Sequence, residues 1–557
     1  MQCRECHAEL PQGAHRCPQC GRPVLHEKIW NNKRLRALLI SITIVLIAVG
    51  AGFAVVASQD AAVNSRVKDA ICSFQFDTAE TLRGDVKLFP AGDNSLRTEI
   101  IRTGRLYQAG QYTQALMYLD DLRETYTDAG LAAYSGVLDT IEAKSLPQIY
   151  AAAAEAYSAQ DYQTALADYT VLAARNYSDS DKRLFLTNAV YEGGIRGYHV
   201  AQRTAAKYDI NVPWLILMDP TSACNMHCTG CWAAEYGHKQ SLTFEEMDRV
   251  LTEGKELGTH ACLFTGGEPL MRKKDIIRLC EKHRDIAFHA FTNGTLIDDE
   301  FCKEMLRVGN FFVSVSIEGF EDANDGRRGD GHFQKALAAM DLMRNYRIPF
   351  GVSICYTSRN YKVVTSDEFL DLLISKGCVF AWYFHYMPVG QNADTSLLLT
   401  PEQRTYMKDR VREIRGVTGG KELYCIDFQN DGEFAGGCVA GGRIYCHINA
   451  AGDVEPCVFI HYSSANIRDK SFLECLQQPL FKLYRKGQPF NENHLRPCPM
   501  LENPELLPKM VAESGAHSTD LEAPESAEHL CEKCRAYAEG WQPTAESLWQ
   551  KDHPERV

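Results

Sequence analysis

The chain has 557 residues, enough for three or four domains, and its 45% hydrophobic and 24% charged residues exclude a wholly disordered protein. A net charge of −13 with no long basic run excludes nucleic acid as the main partner. The 21 Cys, many in short-spaced pairs, exclude a small disulfide scaffold and point to metal ligation in a reducing compartment.

The first cysteines stand in residues 1–25. Cys3-x2-Cys6-x10-Cys17-x2-Cys20, followed by Gly21, sets two knuckles that can present four thiolates tetrahedrally to one zinc ion. The pattern resembles a small zinc ribbon; a reduced thiol cluster without metal is the alternative. A unit this small cannot bury a core, so zinc would supply most of its stability. Residues 37–57 then form a run of 21 residues without charge. As a helix it spans about 31 Å, enough for a hydrocarbon core. Ser41, Thr43, Gly50 and Gly52 are tolerable inside it. A cleaved signal peptide would start with a short basic stretch, whereas 36 residues with the thiol pairs precede this run. Residues 37–58 are therefore expected to be a single-pass membrane anchor.

Residues 59–98 read as a polar stalk and residues 99–200 as helices. Tyr107-Gln-Ala-Gly-Gln-Tyr112-Thr-Gln-Ala115-Leu116 recurs fifty residues later as Tyr157-Ser-Ala-Gln-Asp-Tyr162-Gln-Thr-Ala165-Leu166. The segment resembles a divergent pair of tetratricopeptide-type hairpins, a family that repeats at about 34 residues. An ordinary helical spacer is an equal alternative. True repeats would make a partner-docking surface.

From residue 211 the pattern switches to strands alternating with helices. Strands are expected at 214–218, 261–264, 286–290, 311–317, 350–355 and 379–383. Helices are expected at 244–257, 275–284, 299–308 and 333–346. The first strand runs into Cys224-Asn225-Met226-His227-Cys228-Thr229-Gly230-Cys231. Iron–sulfur clusters are usually held by four Cys thiolates, so a three-Cys loop leaves one iron of a four-iron (4Fe-4S) cluster open to a ligand that is not protein. A zinc knuckle is the alternative for such a loop taken alone. The loop resembles the signature of the radical S-adenosylmethionine (SAM) superfamily. That resemblance implies a partial (β/α)6 barrel with its chemistry on loops after the strands' C-terminal ends. It also implies that the open iron of a Cys224/Cys228/Cys231 cluster binds the amino and carboxylate groups of SAM. Where the family usually has an aromatic before the third Cys, this chain has Gly230, with Trp232 following.

Three further motifs carry the resemblance. Gly266-Gly267-Glu268-Pro269, after the second strand, is similar to the family's Gly-Gly-Glu-Pro, which implies contacts to the SAM amino group. Thr292-Asn293-Gly294-Thr295, after the third strand, resembles the family's Thr-Asn-Gly turn, with Asn293 facing the cofactor; a simple Asn-Gly turn is the even alternative. Ser314-Val315-Ser316-Ile317-Glu318-Gly319 and the following Arg327-Arg328 resemble the Ser-Ile-Asp-Gly…His-Asp-x-x-Arg stretch of SPASM-type peptide-modifying enzymes. Glu318 replaces the usual Asp, and Asn324 replaces the usual His. The resemblance gives Ser316 to the SAM ribose or carboxylate and Arg328 to the carboxylate. Arg327 receives no role. The fifth strand would line the adenine through its backbone.

Residues 425–545 are dense in Gly, Asn and Cys. Cys438, Gly452 and Cys457 fit the opening of SPASM and twitch domains, which hold auxiliary 4Fe-4S clusters. The chain lacks the full SPASM cysteine run, so one auxiliary cluster is expected. Its ligands would be Cys438, Cys457, Cys531 and Cys534, with Cys446 and Cys498 in reserve; structural zinc is the alternative. Cys262, Cys280, Cys302, Cys355 and Cys378 are expected in the core. His385, His447 and His461 are expected to be structural.

The expectation is thus an α/β chain: zinc ribbon (1–25), transmembrane helix (37–58), stalk (59–98), helical segment (99–200), radical SAM core (211–400) and auxiliary cluster domain (425–545). It would be an enzyme that cleaves SAM reductively and abstracts hydrogen from a peptide or protein. The alternative is a membrane scaffold working through the ribbon and helical repeats. Orientation is contested. Residues 1–36 carry seven Lys/Arg against three Asp/Glu, which places the ribbon in the cytoplasm and the rest outside. SAM and a low-potential electron donor are cytoplasmic, which places the catalytic domain on the cytoplasmic side of the cell membrane.

Overall fold

The computed structural model describes all residues except 1, 3–5, 12, 13, 15, 23–32, 176, 179, 181, 182, 185, 186, 188, 417–419 and 555–557. The chain divides into two units, Met1–Ile149 and Tyr150–Val557.

In the first unit the thiols of Cys6, Cys17 and Cys20 lie within 4.8 Å of one another. Cys3 lies outside the described residues. Gly21, at φ +70, closes the second knuckle by donating its N–H to the Cys17 carbonyl at 2.8 Å. A single helix, Lys33–Cys72, then runs for 40 residues, about 60 Å or twice a hydrocarbon core. From Ala37 it is long and apolar enough to cross a membrane, and its apolar window is unburied. Its second half is not a polar stalk. Val67, Ala70 and Ile71 are buried, and they pack with the helices Phe76–Gly84 and Asn94–Gln108. Residues 59–98 read as polar because their apolar positions are spaced at helical intervals among charged ones.

Asn94–Gln108 and Tyr112–Thr125 meet at a turn with Gly110 at φ +76, and the rings of Tyr107 and Tyr112 touch edge-on at 5.8 Å. The recurrence around Tyr157 has the same local geometry. Ser135–Ser158 and Tyr162–Ala173 meet at a turn with Gln160 at φ 64, and the rings of Tyr157 and Tyr162 lie 5.4 Å apart.

The second unit is built on a nine-stranded sheet. Six strands lie within two residues of those expected: β1 (Leu215–Met218), β2 (Ala261–Phe264), β3 (Ala287–Thr292), β4 (Phe311–Ser316), β5 (Phe350–Tyr356) and β6 (Cys378–His385). Three more come from the C-terminal region: β7 (Tyr424–Asp427), β8 (Tyr445–Ile448) and β9 (Val454–Glu455). The order is β7-β6-β5-β4-β3-β2-β1-β8-β9, and every pair is parallel except β8 with β9. Alternation sends Ile216, Phe264, Phe288, Val313 and Val352 into the main core, which the covering helices share. Their neighbours Leu217, Leu263, Phe291, Ser316 and Trp382 line one cavity of about 280 Å³ on the other face. Both faces are covered, as a parallel sheet requires. The class is α/β: the expected partial barrel, extended by β7 on one side and by β8 beyond β1.

Arg404 ties the C-terminal region to this sheet. Its buried guanidinium pairs with Glu502 at 2.7 Å, donates to Asn430 Oδ1 at 2.9 Å and the Tyr537 hydroxyl at 2.9 Å, and lies 4.4 Å from the centre of the Trp541 ring. Arg404→Met strands the Glu502 carboxylate in the interior. We expect a loss of about 3–5 kcal/mol in urea denaturation, the usual cost of removing one partner of a buried pair.

Candidate active site

Cys224, Cys228 and Cys231 line the barrel cavity together with Gly266, Gly267, Glu268, Asn293, Ser316 and Arg328. All nine residues expected at the SAM end of the site therefore line one cavity.

The cysteine loop is clamped along its length. Gly267 and Glu268 donate their N–H groups to the carbonyls of Thr221 and Ala223 at 3.0 and 2.9 Å. A Cβ on Gly267 would stand 2.1 Å from the Ala223 carbonyl oxygen, so this approach needs glycine. At the other end, Thr229 N–H donates to the Arg327 carbonyl at 2.9 Å. The Arg327 guanidinium in turn donates to the carbonyls of Thr229 and Gly230 at 3.2 and 3.4 Å. Arg327, expected to be solvated, is thus a brace for the loop. Gly230 adopts φ +68, and a Cβ there would stand 2.9 Å from the Tyr386 ring. The Tyr386 ring, just beyond β6, packs against the loop at Gly230.

Glu268 and Asn293 also make hydrogen bonds within the protein. Glu268 is buried, and its Oε1 accepts from Leu270 N–H at 3.0 Å and the Thr292 hydroxyl at 2.7 Å. Its Oε2 accepts from Asn293 N–H at 2.8 Å. Glu268 therefore locks the loop after β2 to the loop after β3. Asn293 Nδ2 donates to Asn225 Oδ1 at 2.8 Å, so the Thr-Asn-Gly turn reaches the cysteine loop itself.

Both departures from the family motif are accommodated. The Glu318 side chain has no exposure, and its Oε1 accepts from Arg327 at 2.8 Å and from Arg328 Nε at 3.0 Å. Its Oε2 accepts from Cys355 N–H at 2.9 Å. Asn324 Oδ1 accepts from Glu318 N–H at 3.1 Å, and its Nδ2 lies 3.0 Å from His332 Nδ1. Two guanidiniums on one carboxylate leave a net positive charge beside the thiols, with Arg328 Nη1 4.0 Å from Cys228 Sγ. That charge suits anionic thiolates and a carboxylate ligand. Burial pushes the Cys224 thiol up to about 11, so metal loading must release protons here. Cys355, expected in the core, is half-buried on the cavity wall.

A second cavity of about 260 Å³ adjoins the first, and Trp382, Phe428, Tyr445 and Phe459 line both. Cys438, Cys457 and Cys498 line the second cavity. Cys531 and Cys534 are buried in the same apolar cluster, near the start of the helix Ala527–Asp552. Cys498, held in reserve by the sequence reading, thus joins the thiol group, whereas Cys446 points from β8 into the main core. Donors converge on the sulfurs. Cys457 Sγ accepts from the Tyr445 hydroxyl at 2.8 Å, and Cys498 Sγ accepts from Met500 and Leu501 N–H at 3.4 Å each. Cys498 N–H donates to Glu502 at 2.8 Å, which links this loop to Arg404. The buried Tyr484 hydroxyl has no partner and sits within electrostatic reach of Cys438, Cys457, Cys498 and Cys531. Aimed N–H and O–H donors and an orphaned hydroxyl fit a set of thiolates around an iron–sulfur cluster, whose potential such hydrogen bonds tune.

Behind Trp232 lies a buried charge network. His447 pairs with Asp219 at 3.0 Å and Glu455 at 2.6 Å, and the Tyr236 hydroxyl donates to Glu455 at 2.7 Å. Burial alone would lower His447; the two carboxylates outweigh it and raise the imidazole to about 10. The unfolded imidazole titrates near about 6.5. The raised folded value makes this contribution complete below about pH 6.5 and lost as pH rises through about 10. His447→Ala should therefore cost about 3–5 kcal/mol at neutral pH. The gap to wild type should narrow as urea titrations are repeated up to pH 10.

Comparison with known proteins agrees with this geometry. The radical SAM superfamily model matches residues 218–373, the zinc-ribbon domain model 2–24, and the iron-sulfur cluster-binding SPASM domain model 438–500. An AdoMet-dependent heme synthase of Methanosarcina barkeri is 27% identical over 290 residues, covering 47% of this chain and 82% of that protein. The mycofactocin maturase MftC of Mycolicibacterium smegmatis is 26% identical over 294 residues, covering 50% and 74%. The crystal structure of Streptococcus suis SuiB bound to precursor peptide SuiA shares 15% identity at a TM-score of 0.46, over 60% of this chain and 80% of that one.

Fold and site define an iron–sulfur, SAM-dependent enzyme. The chain carries regions that match the radical SAM, SPASM and zinc-ribbon domain models, and it is a SAM-dependent enzyme. Its cofactors are a SAM-binding 4Fe-4S cluster, SAM, an auxiliary iron–sulfur cluster and zinc.

Proposed function

We propose that this enzyme is anchored to the cell membrane by the helix from Ala37 and abstracts hydrogen from an apolar side chain of a peptide or protein. Cys224, Cys228 and Cys231 would hold the SAM-binding cluster, and Cys438, Cys457 and Cys498 with Cys531 or Cys534 the auxiliary one. When bound, the first cluster supplies the electron that splits SAM into methionine and a 5′-deoxyadenosyl radical. The protein's own part is to hold the loop rigid through Arg327, Glu268 and Asn293, to offer Arg328 to the SAM carboxylate, and to exclude water with aromatic walls.

The observation that carries the substrate reading is the lining. Beyond the cysteine loop the cavity is walled by Trp214, Leu217, Phe291, Phe384, Phe428 and Phe459. Among the described residues lining it, the only Lys or Arg are Arg327 and Arg328, and both are paired with Glu318. Such a wall favours an uncharged aliphatic or aromatic group over a ligand rich in carboxylates. The heme synthase relative points instead to a tetrapyrrole, which is the alternative to test. A proteome grown on deuterated Leu, Val, Phe and Tyr, incubated with enzyme, SAM and reductant, tests this. Deuterium should appear in 5′-deoxyadenosine. Transfer from a tetrapyrrole and not from protein would refute the reading.

The chemistry also requires SAM and a low-potential donor on the catalytic side, so the domain faces the cytoplasm despite the basic flank at Lys33, Arg34 and Arg36. A reporter fused after Val557 should read as cytoplasmic. Protease cleavage of the C-terminal domain in intact cells would contradict this.

A further inference from the structure

Residues 86–90 form a loop whose features are hard to explain on a water-facing surface. Leu88 is 57% exposed and Phe89 42% exposed. The Phe89 ring packs edge-on against Phe53 at 6.4 Å. Phe53 lies within the uncharged run, four residues before its end at residue 57, which is about 6 Å back along the helix axis. The loop therefore doubles back beside the apolar helix, at the level where that helix would leave the bilayer.

Its backbone is satisfied in an unusual way. Asp60 is the first charge after the apolar run and is 1% exposed. Its Oδ1 accepts from Lys87 N–H at 3.0 Å, and its Oδ2 accepts from Leu88 and Phe89 N–H at 2.9 Å each. Asn64 Nδ2 donates to the Phe89 carbonyl at 2.9 Å. Arg97 steadies Asn64 by donating to its carbonyl at 2.7 Å. The next residue, Pro90, has no N–H to satisfy. Three consecutive donors and an acceptor are thus met by two side chains of the helix. Water would do this at no cost on an ordinary surface, but near hydrocarbon each unmet group is expensive. Lys87 is exposed beside the two apolar side chains, placed to reach lipid phosphate.

We propose that the Lys87-Leu88-Phe89-Pro90 loop is a second membrane contact, with Leu88 and Phe89 inserted in the interface between headgroups and acyl chains and held there by Asp60. It would fix the depth of the helix and hence the height of the first unit above the bilayer. This rests on the reading of the helix from Ala37 as membrane-spanning.

The test separates the two. Full-length chain carrying photoreactive benzoylphenylalanine at position 46 or at position 89 is reconstituted in vesicles of radiolabelled phosphatidylcholine and irradiated. Both positions are exposed, so the replacement is compatible with folding. Labelled lipid adducts at both, well above the unsubstituted chain, are expected. An adduct at 46 and none at 89 overturns the loop proposal and leaves the anchor standing. No adduct at 46 removes the anchor reading and the proposal with it. Cross-linking of position 89 to a second copy of the chain, rather than to lipid, also overturns it.

Discussion

Cys228→Ala should bring SAM cleavage down to background while leaving the auxiliary iron in place. Cys228 sits in the middle of the cysteine loop, and among the described cavity-lining residues the only Cys outside that loop is Cys355, on β5. The loop cannot shift to recruit it. Its two ends are pinned by the carbonyls of Thr221 and Ala223 on one side and by Arg327 on the other. With two thiolates left, the four-iron cluster loses a ligand that this rigid loop cannot replace. Iron should fall by about four per chain, and 5′-deoxyadenosine formed with dithionite should vanish. Persistent cleavage with unchanged iron would move the cluster away from this loop.

The second large effect concerns the adjoining cavity. The Cys438→Ala, Cys498→Ala double variant removes two of the three thiols that line it. SAM cleavage should survive, because neither residue touches the first loop. Product formation should be lost, and iron should fall from about eight to about four per chain. The backbone there should also loosen. Tyr445 and Glu502 hold the sites of Cys457 and Cys498, and Glu502 is itself held by Arg404. A rise in protease sensitivity confined to residues beyond 425 would report that. If iron does not change, these thiols bind zinc or nothing.

The contribution of each kind of sequence signal can be traced to particular residues. Contiguous signals were legible. The strands β1 to β6 are short, mainly apolar runs alternating with helical stretches, and each loop motif follows a strand read from that alternation. Signals that depend on distant partners were not. β8 is four residues long, and it becomes a strand by pairing with β1 in the register Leu215↔Tyr445 to Met218↔Ile448. Arg327 and Arg328 are neighbours in sequence with no local cue to distinguish them; both are fixed by Glu318, nine and ten residues earlier. The Gly-Gly-Glu-Pro motif shows a subtler gap. Gly266, Gly267 and Glu268 line the cavity, yet the Glu268 carboxylate also accepts from Leu270, Thr292 and Asn293. The motif marks the place, and the partners from the loop after β3 that brace its carboxylate have no local cue in the motif itself. Cys498 and Cys446 separate for the same reason. One is placed by Glu502 and the N–H groups of Met500 and Leu501, the other by strand parity.

Reductive cleavage of SAM in this cavity can be measured directly. Full-length wild-type protein, purified without oxygen and loaded with iron and sulfide, is mixed with dithionite and SAM, and nucleosides are followed by mass spectrometry. 5′-Deoxyadenosine should form together with methionine in equal amounts, and only in the presence of reductant. Absence of 5′-deoxyadenosine from protein that carries about eight irons per chain would contradict such cleavage.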